Sequence, residues 1–174
     1  RLHLGRSSGD LLAVTIRIEE RDCILDMLEA ISLLNKILLE LAENHTTTVM
    51  PTYTHLQQAQ ASSLAHYLVS WVYAFGRDFA RLQEVYKRTN ASPAGAAIGT
   101  GSPFQIDRER VASLLGFDSV LQNTRDAIFG YDHHLELFSS VAILDSSLAR
   151  FCSDLYLWSS LEFDMAELKD RFCG

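Results

Sequence analysis

The sequence has 174 residues, of which 48% are hydrophobic and 21% are charged. This length supports a domain with a substantial core, and the composition is that of an ordinary soluble protein. The formal net charge of −7 and the lack of clustered Lys and Arg argue against a nucleic-acid partner. No stretch of about 18 uncharged apolar residues occurs, which argues against a membrane-spanning helix.

Three long helices are predicted from apolar residues that recur every three or four positions in proline-free blocks, at about residues 10–44, 54–88 and 126–160. At about 1.5 Å per residue, each helix would be about 50 Å long, which suits a rod better than a globule. The first helix is apolar around most of its circumference, and three helices of one chain cannot bury it fully. The sequence therefore predicts an all-α, long-helix bundle that assembles with other subunits into an oligomeric helical core.

The connecting segments differ in character. Residues 46–53 form a short polar link, whereas residues 90–106 form a long loop rich in Gly, Pro and Ser. A loop of that length inside a helical protein is often functional. Asp107 is predicted to cap a short helix, and Asn123 or Thr124 is predicted to cap the third long helix.

The cysteines and histidines give no metal signature. Cys23, Cys152 and Cys173 lack both a CxxC motif and metal-ligand spacing. They predict reduced, buried thiols in a cytoplasmic protein. The adjacent residues His133 and His134 have no histidine at i,i+4, so the pair is predicted to be structural and no metal site is expected.

Two predicted helix starts carry residues that suit an anionic ligand. Arg6, Ser7 and Gly9 precede the first helix, and Thr54 and Gln57 have the T-x-x-Q spacing of a capping box at the second. A helix N-terminus offers free N–H groups and a partial positive charge, which attract carboxylates and phosphates. With the Arg6 guanidinium, the two starts are predicted to bind a ligand that has several carboxylates.

His55 is the candidate acid–base residue. In the first turn of the second helix, the helix dipole would disfavour the imidazolium, and a neutral imidazole can act as a general acid or base. Each residue also has a structural explanation: Thr54 and Gln57 could serve only as caps, and Ser7 with Asp10 could form a second cap pair.

In their order along the chain, these segments resemble the fumarase/aspartase superfamily, and within it the argininosuccinate lyase family. That family's Leu-His-Thr-Gly-Arg-Ser-Arg-Asn-Asp segment corresponds to residues 2–10, and its Met-Pro-Gly-Tyr-Thr-His-Leu-Gln segment corresponds to residues 50–57. The likeness covers nearly the whole chain. It implies the central helical domain of a homotetramer, active sites built from more than one subunit, and no metal or organic cofactor.

The resemblance also implies a reaction. A base removes a proton beside a carboxylate of argininosuccinate, and the carbanion-like intermediate expels nitrogen, which gives fumarate and arginine. This is a step of arginine biosynthesis and implies a cytoplasmic enzyme with a small-molecule substrate. On the resemblance, His55 is the catalytic histidine, Thr54 and Gln57 contact the substrate, and residues 6–9 form the first substrate loop.

Several positions depart from the family pattern. The family pattern has Arg, Asn and Arg where this sequence has Ser8, Gly9 and Tyr131 respectively. Loss of amide and guanidinium groups near the substrate changes substrate specificity. Three alternatives therefore stay open: a related lyase for a different aminosuccinate, a non-catalytic structural relative and an unrelated helical bundle.

The family's serine-bearing signature would begin at about Gly174, and its N-terminal domain would precede Arg1. We therefore interpret residues 1–174 as a central bundle domain that is a fragment, inactive alone.

Overall fold

The computed structural model describes residues 3–167 and residue 169, and it is mostly helical, which confirms the all-α class. Two small two-stranded sheets are added to the helices. The elements in chain order are α1 (Ser8–Asn44), β1 (Val49–Thr54), β2 (Gln57–Ser63), α2 (Leu64–Thr89), β3 (Ala91–Ser92), α3 (Arg108–Leu114), β4 (Ser119–Val120), α4 (Thr124–Phe129) and α5 (Asp132–Trp158).

The chain divides into two compact units. Within the described part of the chain, residues 3–33 and 79–139 form the first unit, and residues 34–78, 140–167 and 169 form the second. The long helices α1, α2 and α5 each contribute residues to both units. The assignment of the whole chain to one central bundle domain stays a prediction.

The core of the first unit lies between the N-terminal half of α1 and the segment that contains α3 and β4. Its buried members are Val14, Ala94, Ala112, Phe117 and Val120. The two alanines let backbone segments approach closely, and Phe117 is the largest of these side chains. Burial of a side chain of that size stabilises the fold by about 2–3 kcal/mol. A two-residue parallel ladder, with Ala91 opposite Ser119, joins β3 to β4.

The second unit has an aromatic core between α2 and α5. The ring centroids of Trp71 and Phe151 are 5.4 Å apart, and Phe75 meets Phe151 edge to face at 6.0 Å. Such contacts add about 0.5–1.5 kcal/mol per pair beyond burial. Leu68 and Trp158 are also buried here. The apolar periodicities predicted for the second and third long helices therefore face this core.

The start of the predicted second helix is wrong. Residues 49–63 form an antiparallel hairpin, with Thr54 opposite Gln57, and α2 begins only at Leu64. The two turn residues are His55, with φ of 52°, and Leu56, with φ of 60°. Left-handed backbone at both central positions is the geometry of a two-residue type I′ turn, whose twist matches that of the strands.

The predicted third helix is interrupted near its start. Asn123 caps α4, since its side chain accepts hydrogen bonds from the backbone N–H groups of Arg125 and Asp126, both at 3.0 Å. Gly130 ends α4, and α5 begins at Asp132. A Cβ at Gly130 would lie 2.8 Å from the carbonyl oxygen of Asp126, so this close approach requires glycine.

The predicted environment of the cysteines is also wrong within the described part of the chain. Cys23 and Cys152 are free but exposed, and Cys173 lies outside the described residues, as does Gly174.

The short helix α3 is capped as predicted, with Asp107 accepting from the N–H of Arg110 at 2.9 Å. Among the described helices, none has the length and apolarity that a membrane crossing requires.

Candidate active site

The start of α1 is held by a reciprocal capping arrangement. The Ser7 hydroxyl accepts from the N–H of Gly9 at 3.1 Å, and Asp10 Oδ1 accepts from the N–H of Ser7 at 3.0 Å. These bonds satisfy N–H groups that a helix start otherwise leaves free. The cap-pair explanation of Ser7 and Asp10 is therefore confirmed. Arg6, just before this cap, is exposed to solvent.

The Gly-rich segment 90–106 is packed rather than free. Ser92, Pro93 and Ala96 are buried, and Asp10 Oδ2 accepts a 3.1 Å hydrogen bond from the N–H of Ala97. The Asp10 side chain is only 2% exposed, so both of its oxygens are used inside the protein. The loop thereby has a fixed position against the start of α1.

A cavity of about 300 Å³ opens beside this cap, and we call it the α1 cavity. It joins the predicted first substrate loop to residues of α4, α5 and the loop between them. Its lining consists of Ser7, Ser8, Gly9, Leu12, Ala13, Ile16, Ile98, Ala127, Ile128, Phe129, Gly130, Tyr131, His133 and His134. The lining is mainly apolar with a few polar groups, as in many small-molecule sites.

Gly9 leaves room in the wall of the α1 cavity. A Cβ at Gly9 would meet the Ser7 hydroxyl at 3.6 Å and Ile128 at 3.8 Å, which are ordinary contacts. Tyr131, another departure from the family pattern in this wall, is 59% exposed and stacks on His134 with 5.9 Å between ring centroids. The family-pattern departures Ser8, Gly9 and Tyr131 thus share one cavity.

The adjacent histidines of α5 meet a carboxylate of α1. His133 Nδ1 lies 2.8 Å from Glu20 Oε2, and His134 Nδ1 contacts Glu20 Oε1. Burial lowers the pKa of the His133 imidazole, the nearby Arg17 guanidinium lowers it further, and Glu20 acts in the opposite direction. No local sequence pattern indicates this cluster, because Glu20 precedes His133 by 113 residues.

The buried Arg17 supports the same region. Its Nη1 donates to the carbonyl oxygens of Arg88 at 3.3 Å and of Thr89 at 3.2 Å, which are the last residues of α2. Cations near the carbonyl end of a helix are favourable. Desolvation lowers the pKa of Arg17, and the carboxylate of Glu20 raises it.

The second unit holds the other three predicted site residues together. Thr54, His55 and Gln57 lie at the exposed turn of the hairpin. The capping-box argument for Thr54 and Gln57, and the helix-dipole argument for a neutral His55, are both wrong because α2 begins at Leu64. Left-handed backbone at non-glycine residues costs about 1–3 kcal/mol each, and such strain is commonest at functional sites.

The hairpin also forms one wall of a second cavity, of about 330 Å³. Met50 and Tyr53 lie on its strand side, and Tyr67 and Asp154 lie on its helix side. The Tyr67 hydroxyl donates to Asp154 Oδ2 at 2.7 Å. Burial raises the pKa of the Tyr67 phenol, and the bond to Asp154 raises it further.

Residues 1–172 match the sequence profile of a family described as Lyase. The chain therefore belongs to this lyase family, which lies in the fumarase/aspartase superfamily. This finding confirms the resemblance inferred from the sequence segments.

Individual relatives agree with the family assignment. The argininosuccinate lyase of Methanospirillum hungatei JF-1 is 44% identical over 174 residues, which are 100% of this chain and 35% of that protein. The chain thus spans about a third of the length of the curated relatives it matches.

Solved structures show the same fold. EDDS lyase in complex with formate superposes with a TM-score of 0.94 at 35% identity, over 96% of this chain and 34% of that one. A fumarate lyase from Mesorhizobium sp. BNC1 has a TM-score of 0.81 at 26% identity, over 92% of this chain and 38% of that one.

Proposed function

We propose that the full-length protein that carries this chain is a C–N lyase of the argininosuccinate lyase type, which eliminates fumarate from argininosuccinate and releases arginine. The observation that carries this proposal is the 44% identity to an argininosuccinate lyase over the whole chain. The proposed reaction removes a proton from the carbon beside a carboxylate. The electron pair then forms the double bond of fumarate as the C–N bond breaks, and the leaving nitrogen takes a proton.

We assign the acid–base histidine to His55. Its place at the exposed turn of a two-stranded hairpin supports this role, since an imidazole at a turn can reach a ligand held by another part of the assembly. Thr54 and Gln57 flank it as a strand pair and can donate hydrogen bonds to a carboxylate. The strained backbone at His55 and Leu56 fixes the direction of the turn.

The first substrate loop supplies the other contacts. Arg6 is exposed and offers a guanidinium for bidentate binding of a carboxylate. Ser7 and Gly9 line the α1 cavity. The carboxylates of the substrate, and the additional charge of the carbanion-like intermediate, are stabilised by such fixed donors.

The active protein is a homo-oligomer in this proposal, with four subunits and sites shared between them. Large apolar side chains stay exposed along two long helices, which supports this assembly. Leu25, Leu33 and Ile37 on α1 are 46%, 58% and 51% exposed, and Leu135 and Phe138 on α5 are 67% and 66% exposed. Neighbouring subunits would bury them, as the all-round apolar sequence of α1 predicts. A cytoplasmic location stays a prediction.

A related lyase that acts on a different aminosuccinate is the second candidate. Gly9 and Tyr131 support it, because they remove an amide and a guanidinium from the family pattern at the wall of the α1 cavity. Loss of a fixed hydrogen-bond partner changes specificity much more than loss of a methylene does.

The test uses the full-length protein with argininosuccinate, adenylosuccinate and aspartate offered separately, and fumarate is followed by its ultraviolet absorbance. We expect fumarate from argininosuccinate. Fumarate from another substrate only would favour the second candidate, and fumarate from none would overturn the lyase proposal.

The His55 assignment has its own variant. His55→Asn should lower kcat by about a hundredfold or more, because general acid–base catalysis contributes about that much, while the oligomer mass is unchanged. His45→Asn is the matched control and should keep turnover, since His45 lies before the hairpin and bonds only locally, to Thr48 at 3.0 Å. Near-normal turnover in His55→Asn would contradict the assignment.

A further inference from the structure

The cluster formed by Glu20, His133 and His134 has more than a packing role. One ligand atom from each of the three residues lies within 4.8 Å of the other two. The side chains are 10%, 8% and 21% exposed respectively, so the cluster is largely shielded from solvent. We propose that Glu20, His133 and His134 form a binding site for a divalent transition-metal ion, with Zn²⁺ as the best match.

The donor types select the metal. Two imidazole nitrogens and one carboxylate are a frequent ligand set of Zn²⁺ in sites that keep one position open. Mg²⁺ and Ca²⁺ prefer oxygen donors alone, whereas imidazole favours zinc and its first-row neighbours. The composition of the cluster therefore points away from the hard cations.

The geometry needs only small side-chain adjustments. Metal–ligand bonds of about 2.1 Å at tetrahedral angles place donor atoms about 3.4 Å apart. His133 Nδ1 is already 2.8 Å from Glu20 Oε2, and His134 Nδ1 contacts the other oxygen. An ion between the three groups would separate these donors slightly.

The two histidines converge although they are neighbours in a helix. Consecutive side chains of an α-helix diverge by about 100°, yet these ring centroids are 4.1 Å apart. Both rings lie in the first turn of α5 and reach the same carboxylate. Both rings therefore present Nδ1 toward one point beside the Glu20 carboxylate, which is the arrangement that a shared ion requires.

An open coordination position would face the α1 cavity. His133 and His134 both line this cavity, together with Ser8, whose side chain is small, and Gly9, which has none. Water or a carboxylate oxygen of a cavity ligand would complete four-coordination. The neighbouring Arg17 does not occupy this coordination position, because its Nη1 donates to the carbonyl oxygens at the end of α2.

This site is separate from His55, to which the elimination chemistry is assigned. Its test therefore measures metal binding rather than fumarate release. The full-length protein is stripped with a chelator, dialysed and titrated with Zn²⁺ against a chromogenic competitor. We expect one ion per subunit. Substitution of the same protein with Co²⁺ should give the visible absorption of a tetrahedral site.

Variants locate the ion. Glu20→Gln and His134→Gln keep the side-chain size and should each weaken zinc binding by about tenfold or more. Glu19→Gln is the matched control, because Glu19 is the exposed neighbour of Glu20 on α1, and it should bind zinc as the parent does.

Two results would overturn the proposal. In one, the unsubstituted protein fails to bind Zn²⁺ stoichiometrically and shows no tetrahedral Co²⁺ spectrum, which leaves hydrogen bonding among Glu20, His133 and His134 as the role of the cluster. In the other, Glu20→Gln and Glu19→Gln bind zinc equally well. The Co²⁺ spectrum of the unsubstituted protein decides the matter even if a variant fails to fold.

Discussion

The N–H of Ala97 donates a 3.1 Å hydrogen bond to Oδ2 of Asp10. Ala97 lies in the Gly-rich loop with a left-handed φ of 51°, and Asp10 caps the start of α1 through its other oxygen. One buried carboxylate therefore fixes both the start of α1 and the long loop beside it. This link explains why a loop rich in Gly and Ser is held in place at the α1 cavity.

Asp10→Asn should destabilise the protein measurably. An amide has one acceptor oxygen, so its NH₂ group would face either the N–H of Ser7 or that of Ala97 and leave a buried donor unpaired. The expected loss is about 1–3 kcal/mol of unfolding free energy. Thermal unfolding checks this, with Asp22→Asn as control because Asp22 is exposed on the same helix. Equal midpoints for the two variants would contradict the prediction.

The hairpin turn should become more stable when its strain is relieved. Leu56 has φ of 60° and is 66% exposed, so Leu56→Gly removes strain and little packing. We expect a gain of about 0.5–1 kcal/mol in unfolding free energy.

Val49→Gly is the control for this prediction, and its expected effect on stability has the opposite sign. Val49 is 76% exposed and lies in β1, where glycine weakens a strand. The two Gly variants should shift the thermal midpoint in opposite directions. A fall of similar size in both would show that the turn is not strained.

The Tyr67–Asp154 hydrogen bond should make stability sensitive to alkaline pH. The folded pKa of Tyr67 is raised above the unfolded value of about 10, so the stabilisation is fully present below about pH 10 and is lost as pH rises past it. Tyr67→Phe should lose about 1–2 kcal/mol at neutral pH. It should also show a shallower loss of stability in alkali than the parent does.

The control for this pair is Tyr73→Phe, since Tyr73 is on the same helix and is 70% exposed. Unfolding in urea at several pH values measures both variants. If Tyr73→Phe altered the alkaline slope as much as Tyr67→Phe, the assignment of the slope to the Asp154 contact would be wrong.

Helix periodicity predicted the core faces because burial on one side of a helix repeats along the sequence. Periodicity did not predict the hairpin, and the cause is physical. Its type I′ turn uses His55 and Leu56 instead of the usual Asn-Gly, so the turn signal was missing. At the same time, Thr54 and Gln57 have the spacing of a capping box, although they pair across two strands.

The candidate site was predictable only where its residues are neighbours in sequence. Ser7, Gly9 and Asp10 form a local cap, and His55 lies in a recognisable segment. The contact between Glu20 and His133 joins positions 113 residues apart, and no local pattern encodes it. Such pairs depend on how the helices pack, which periodicity leaves undetermined.

Gly9→Asn should increase selectivity for argininosuccinate. The family has Asn at this position, and a Cβ here would meet only ordinary contacts of 3.6 Å and 3.8 Å, so the substitution is expected to fold. A restored amide in the α1 cavity would add one hydrogen bond to the substrate, worth about 0.5–1.5 kcal/mol. That corresponds to a rise of about two- to twelvefold in kcat/KM for argininosuccinate relative to the other aminosuccinates. Gly9→Ala adds the Cβ without the amide and should leave the ratio unchanged; a similar rise in both variants would assign the effect to cavity volume.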